Sequence, residues 1–236
     1  MEFRVLTDAE TVAREAAKFI AKLARQSVAE RGRFVMAVSG GATPWQMLRA
    51  LGKEDLPWND VFVIQVDERE APEGHTDRNL THLRESLLEH APLKEDHILA
   101  MPVDSDNLEL GARRYSEMIC QIAGSPPMLD LVHLGLGADG HTASLVPDDL
   151  VLQLKDRDVA ITGIYQGRKR MTLTYPMINR SRNILWLVTG AGKLPMLKRL
   201  LAADESIPAG RICQNKAFIL ADQDAFGDIW FKDNVF

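Results

Sequence analysis

The segment Gly135-Leu-Gly-Ala-Asp-Gly-His141 sets a carboxylate, Asp139, two residues before an imidazole, His141. In an extended turn, side chains two apart face the same side. A carboxylate beside an imidazole fixes its tautomer and stabilises the imidazolium. Histidine is the side chain best suited to moving protons near neutral pH. The pair therefore reads as a general base with its orienting acid, against the plainer alternative of a hydrogen-bonded turn histidine. His75, His82, His90, His97 and His133 lack such a setting, and surface or core roles are expected for them.

A second candidate is Ser39-Gly-Gly-Ala-Thr-Pro44. Gly40 and Gly41 let the backbone approach an anion and aim N–H groups at it. Thr43 is a good helix N-cap and Pro44 suits a first helical position, so a helix opening there presents its positive end to the same point. A phosphate is the natural occupant; a tight strand–helix turn without a ligand is the alternative.

Charged residues supply the rest. Asp67-Glu-Arg69 ends an apolar run, where three charges are costly unless they face a cleft or are paired; a solvated loop is the alternative. Asn79, beyond the loop Glu73-Gly-His-Thr-Asp77, can fold back over the same place. Arg170, in Arg168-Lys-Arg170, and Lys193, after Thr189-Gly-Ala-Gly192, are further candidate cations.

Several other chemistries are disfavoured. Gly135 to Gly140 is literally GxGxxG, but a dinucleotide fingerprint needs a continuing helix and an acidic residue ending the next strand. Pro147 interrupts, and Asp156 and Asp158 precede the next apolar stretch. Ser144 invites a Ser-His-Asp triad, yet no GxSxG elbow occurs, and a capping or packing role in the first turn of a short helix is expected. No clustered ligand set suggests a metal. Cys120 and Cys213 stand alone and read as reduced thiols. A net charge of −5 argues against nucleic acid and anionic membrane as partners. No signal-peptide core or membrane-length apolar run is present, which predicts a cytoplasmic protein with no membrane partner.

The elements that must position these residues alternate between strand and helix along 236 residues, 46% of them apolar, and one domain over 1–236 is expected. A capping box at Thr7–Glu10 opens a helix carrying Val12, Ala16, Phe19, Leu23 and Val28 and closing at Gly32. Strands are expected at 34–38, 61–66, 129–134, 171–174, 184–188 and 217–220. Helices are expected from Pro44, over 79–89, over 108–122 and from Lys193 to about Ala203. The polar clusters fall at strand ends, where open α/β sheets bind ligands, so four of them can converge on one crevice.

Together the segments SGGATP, VDER with Asn79, LGLGADGHTASLVP, RMTLTYPMIN and LVTGAGK resemble the 6-phosphogluconolactonase family, within the glucosamine-6-phosphate isomerase/deaminase superfamily. They run in family order from about residue 34 to 198. The resemblance implies a Rossmann-like three-layer α/β/α fold with a mostly parallel sheet. It implies hydrolysis of a small phosphosugar lactone, 6-phospho-D-glucono-1,5-lactone, in the pentose phosphate pathway, with no cofactor. By position, His141 resembles the catalytic base and Asp139 its partner acid. Arg69 and Arg170 resemble substrate-binding cations. Ser39, Gly40, Gly41, Thr43 and Lys193 resemble the sugar-phosphate site, with Asp67 and Asn79 in the neighbouring substrate loop. Three segments depart from the pattern: Arg78 where a Ser often precedes the Asn, Glu70-Ala-Pro72 after DER, and the tail from Phe226 to Phe236. The deaminase branch resembles DGHIAFNEP, whose Glu assists ring opening; Val146 stands there in this chain.

Overall fold

The computed structural model describes residues 1–227; the tail reading beyond Gly227 lies outside the described residues. The chain opens on β1 (Glu2–Leu6), α1 (Ala9–Arg31), β2 (Phe34–Val38) and α2 (Ala42–Leu51). It continues through β3 (Val61–Gln65), β4 (Asp67–Arg69), α3 (Asn79–Leu83), β5 (Ile98–Leu99) and α4 (Leu108–Ala123). Then come β6 (Leu131–Gly135), β7 (Val159–Ile161), β8 (Arg170–Leu173), α5 (Tyr175–Arg180), β9 (Ile184–Val188), α6 (Leu194–Leu201), β10 (Ala217–Asp222) and α7 (Gln223–Phe226).

Seven strands form one parallel sheet in the order β1-β10-β9-β6-β2-β3-β5. Its central strands are buried on both faces, which is why β2 and β9 read as unbroken apolar runs. Alternation then divides their side chains. Phe34, Met36 and Val38 join Leu185 and Leu187 in a core shared with α1, α2 and α3. Val35 and Ala37 join Trp186 and Val188 in a core shared with α4, α5 and α6. This is the expected three-layer α/β/α architecture.

Strand order places the binding crevice. From β2 the chain proceeds outward through β3 to β5, then returns to β6 on the other side of β2 and proceeds outward the opposite way. The connections leaving β2 and β6 diverge, opening a crevice at the carboxyl ends of these adjacent strands, the topological switch point. Those ends carry Ser39 and the Gly135–His141 turn.

A second sheet, antiparallel and in the order β4-β8-β7, stands beside this crevice. It is joined to the first through Val66, whose N–H donates to the Val38 carbonyl and whose carbonyl accepts from Leu173.

Four local expectations are corrected. The N-cap of α1 is Asp8, whose side chain accepts from the Thr11 N–H at 2.7 Å, so the box expected from Thr7 to Glu10 does not form. Helix α2 begins at Ala42, with Gly41 as N-cap at φ 133°, a conformation only glycine adopts readily. Thr43 sits inside the first turn, its hydroxyl engaged with that of Thr189 at 2.7 Å. Asp67–Arg69 is a paired strand, which removes the solvated-loop alternative and starts the substrate loop after Arg69 and not at Asp67. Thr142 and Leu145 pair across a tight turn, so Ser144 is not on a helix. Strands β1, β5 and β7 were not expected. Among the described residues, no helix is long and apolar enough to cross a membrane.

Candidate active site

The Gly135–His141 turn leaves β6 and closes on itself, the Gly137 N–H donating to the His141 carbonyl at 2.8 Å. This brings the Asp139 Oδ1 to 2.5 Å from His141 Nδ1, while the His141 N–H also donates to that oxygen at 3.1 Å. With Nδ1 engaged, Nε2 is the nitrogen left for a reacting proton. Glycine at 137 is what leaves room for this contact: an added Cβ would stand 2.1 Å from His141 Nδ1 and 2.6 Å from Asp139 Oδ1 and would displace both side chains. Partial burial on its own raises the Asp139 carboxyl; hydrogen bonds from His141 and Tyr165 outweigh it and hold the group below the usual carboxylate range. It stays an anion wherever His141 works as a base.

Opposite stand two cations. The antiparallel register sets Arg69 directly across from Arg170. Like charges facing each other across a ladder are destabilising unless acceptors or an anion lie between them. Arg69 Nη1 donates to the Asp77 carbonyl at 2.9 Å and to Asn79 Oδ1 at 3.2 Å. Arg170 is 5% exposed, lies 3.9 Å from the Asp67 carboxylate, and donates to Gln166 at 2.9 Å. Burial lowers the Arg170 guanidinium from its ordinary value, with Asp67 opposing that shift. Two close guanidiniums, one desolvated, make this wall a strong attractor for negative charge.

Glu68 builds the wall. It is fully buried, and its carboxylate accepts from the backbone N–H groups of Arg69, Asn79 and Leu80 at 2.8 Å each and from Gln65 Nε2 at 2.7 Å. Arg78, 3% exposed, lies 3.2 Å from it and donates to the Ala71 carbonyl. The departure at Arg78 is therefore structural: its guanidinium faces Glu68, not the cleft. Asn79 in turn packs so tightly on Gly40 that an added Cβ would stand 2.1 Å from its Oδ1.

Ser39 forms the floor, its N–H donating to His133 Nδ1 at 3.2 Å and its hydroxyl to the His133 carbonyl at 3.0 Å. Lys193 enters from the end of β9 and donates to the Leu136 carbonyl at 2.7 Å. Asp222 accepts from the Gly190 N–H and so fixes the loop leading to Lys193.

One cleft of about 280 Å³ is lined by Ser39, Gly40, Asp67, Arg69, Asn79, His141, Arg170 and Lys193, together with Gly135 to Ala138 and Ala143. Asp139 stands behind His141, outside that lining. Gly41 and Thr43 do not line it either; they shape the first turn of α2. Ser144 is fully buried and donates to Asp67 at 2.6 Å, a packing role. Two residues escaped the sequence reading. Glu68 was seen only as part of a charged trio. Tyr165, which donates to Asp139 Oδ2 at 3.0 Å, had a faint signal in the Gly167 that follows it by two positions. Depressions of about 600 Å³ along α4 and about 710 Å³ beside β1 are larger. In the first, Arg180 is paired with Asp158 and Arg157 with Glu109, and neither includes a histidine. Among the described residues, no three His, Cys, Asp or Glu side chains cluster as a metal centre would require.

A doubly wound α/β protein with a carboxylate–imidazole pair facing paired cations at its switch point has the fold and the charge to receive small anionic molecules. The chain belongs to the glucosamine-6-phosphate isomerase/6-phosphogluconolactonase family, whose model matches residues 7–220. It is 36% identical over 208 residues to a 6-phosphogluconolactonase of Synechocystis sp., covering 85% of this chain and 86% of that one. It is 34% identical over 200 residues to a 6-phosphogluconolactonase of Nostoc sp., covering 82% and 83%. The crystal structure of 6-phosphogluconolactonase from Thermotoga maritima shares the fold, with a TM-score of 0.82 at 24% identity over 94% of this chain and 98% of that one.

Proposed function

We propose that this chain hydrolyses 6-phospho-D-glucono-1,5-lactone to 6-phosphogluconate, with His141 as general base. Relatives named as 6-phosphogluconolactonases, 34% and 36% identical over most of the chain, support an enzyme of this type. The observation that carries the mechanism is the 2.5 Å contact between Asp139 and His141, facing the Arg69–Arg170 pair across one small cleft.

His141 Nε2 takes a proton from water as the water oxygen attacks the lactone carbonyl at C1. Asp139 stabilises the imidazolium that forms. Negative charge collects on the former carbonyl oxygen, where preorganised cations are worth most in a partly desolvated site. The arginine pair and Lys193 supply that charge and hold the phosphate, with the glycine turn and first-turn amides of α2 beside them. As the C1–ring oxygen bond breaks, the imidazolium returns its proton to the departing oxygen. The balance is one water consumed and one carboxylic acid formed, with no cofactor or metal in the scheme.

The deaminase branch of the family is the rival reading. Val146, 5% exposed, stands where that branch carries its glutamate, and a valine moves no protons. The test is the hydrolysis rate of freshly generated lactone against the spontaneous rate and against His141→Ala. General acid–base catalysis is worth roughly 10²–10⁴-fold, and the variant is expected to lose about that in kcat with KM little changed. Near-wild-type turnover in the variant removes His141 from the role, and no acceleration by the wild type sinks the lactonase reading.

A further inference from the structure

We propose that Tyr165 is a positioning residue that couples the two walls of the cleft, its hydroxyl fixing the Asp139 carboxylate behind His141 and its ring supporting Arg170. The inference rests on the lactonase reading above and adds to it a residue outside the family motifs.

The hairpin between β7 and β8 presents this side chain rigidly. Tyr165 and Arg168 pair across the turn residues Gln166 and Gly167, which have φ of 51° and 80°. Positive φ at both positions marks the hairpin turn whose twist matches its strands. Arg168 ties the hairpin to the loop that leads to Asn79: it contacts the Asp77 carboxylate at 2.7 and 2.8 Å and donates to the Glu70 carbonyl at 3.0 Å.

From this tip Tyr165 reaches both walls. Its hydroxyl donates to Asp139 Oδ2 at 3.0 Å, and Asp139 Oδ1 takes both contacts from His141. Each carboxylate oxygen thus has its own anchor, and the plane of the group is fixed. The ring meets the imidazole edge-on, centroids 5.6 Å apart. The same ring lies under Arg170, whose Cζ is 4.9 Å from its centroid, within cation–π range. Arg170 Nε is buried without a hydrogen-bond partner, so the ring and Gln166 carry much of its orientation.

The ionisable groups facing His141 are Asp139 from its own turn, Tyr165 from the hairpin, and Asp67, Arg69, Arg170 and Lys193 around the cleft. Of these, Tyr165 and His141 share the Asp139 carboxylate. Removing the tyrosine hydroxyl concentrates that negative charge on His141 and favours its protonated form. The acid limb of kcat/KM must then move to higher pH.

The test uses the full chain with Tyr165→Phe, Tyr165→Leu and His141→Ala, measuring kcat, KM and the pH profile of kcat/KM. Tyr165→Phe is expected to lower kcat about 3- to 10-fold, the scale of one hydrogen bond, with KM unchanged and the acid limb displaced upward. Tyr165→Leu is expected to raise KM about 3- to 10-fold as well, because Arg170 loses its ring. A Tyr165→Phe enzyme with wild-type kcat and acid limb overturns the proposal. A lower kcat with an unmoved acid limb overturns it too, since a general structural role predicts that pattern. A Leu variant with the KM of the Phe variant overturns the Arg170 half. Failure of the underlying function is distinguishable: there the wild type itself does not accelerate lactone hydrolysis, or His141→Ala costs nothing.

Discussion

The two walls of the cleft are built by opposite means. The wall of the proposed base, the base wall for short, is local: Asp139 and His141 are two residues apart, their side chains are 38% and 25% exposed, and the turn that carries them closes on its own backbone. The cation wall is assembled at long range around a carboxylate, Glu68, that solvent does not reach. Its partners come from residues 65, 69, 78, 79 and 80, and Arg170 arrives from a strand a hundred positions along the chain. A group proposed to move protons has to meet water, and this one is held by a minimum of short contacts. Cations that must not swing toward their own counterions need a rigid frame, and burial supplies one. Damage to the base wall should therefore cost activity alone, whereas damage to the cation wall should cost stability first.

The largest effect is expected at Glu68. Glu68→Ala strands the guanidinium of Arg78 and three backbone donors in a dry site. Breaking a buried ion pair from one side costs about 3–5 kcal/mol. Urea denaturation should show a loss of that size, with weakened substrate affinity in whatever remains folded. A variant of wild-type stability would mean that Glu68 is no keystone. Gly137→Ala is the counterpart on the base wall. The added methyl collides with the movable ends of His141 and Asp139 rather than with backbone. Displacing a reacting group by about 1 Å costs on the order of 10² in rate. Turnover should fall by about that factor while the denaturation midpoint hardly moves. A large stability loss here would erase the contrast between the walls.

The same division explains what the sequence made legible. Strand β2 was readable to the residue because an apolar run bounded by Arg33 and Ser39 has one sensible fate in a parallel sheet. The Asp139–His141 pair was readable because two-residue spacing is enough to imply contact. For β4 the sequence leaves a cleft-facing or paired trio and a solvated loop both open, since nothing local names Thr172, Met171 and Arg170 as its partners. Tyr165 was missed for a related reason: Gln166-Gly167 lacks the Asn-Gly or Asp-Gly signal of such turns, and its target lies 26 positions away. Strand β1 is an exposed edge, and β5 has two residues, so neither shows a period. Thr43 looked like the cap of α2 because threonine commonly is one; Thr189, brought beside it by β9, took the hydroxyl instead.

The smallest effect tests whether burial, rather than membership of a wall, is the dividing line. His133 lies on β6, the strand that leads into the His141 turn, yet it is fully buried and its Nδ1 accepts from the Ser39 N–H. Desolvation pushes its pKa down from 6.5 to about 3. The folded protein therefore keeps His133 neutral where the unfolded chain binds a proton. Its contribution to stability is complete above pH 6.5 and is lost progressively as pH falls from 6.5 toward 3. The slope is about 1.4 kcal/mol per pH unit in that window, or roughly 2 kcal/mol between pH 6.5 and 5. His133→Asn keeps an acceptor for Ser39 but cannot titrate. It leaves a small void and lowers stability at pH 7, so the informative quantity is the difference in slope. Denaturation midpoints from pH 7.5 to 5 should fall more steeply for the wild type than for the variant. Parallel curves would mean that His133 is protonated in the folded protein, and that the floor of the cleft is open to water in the manner of the base wall.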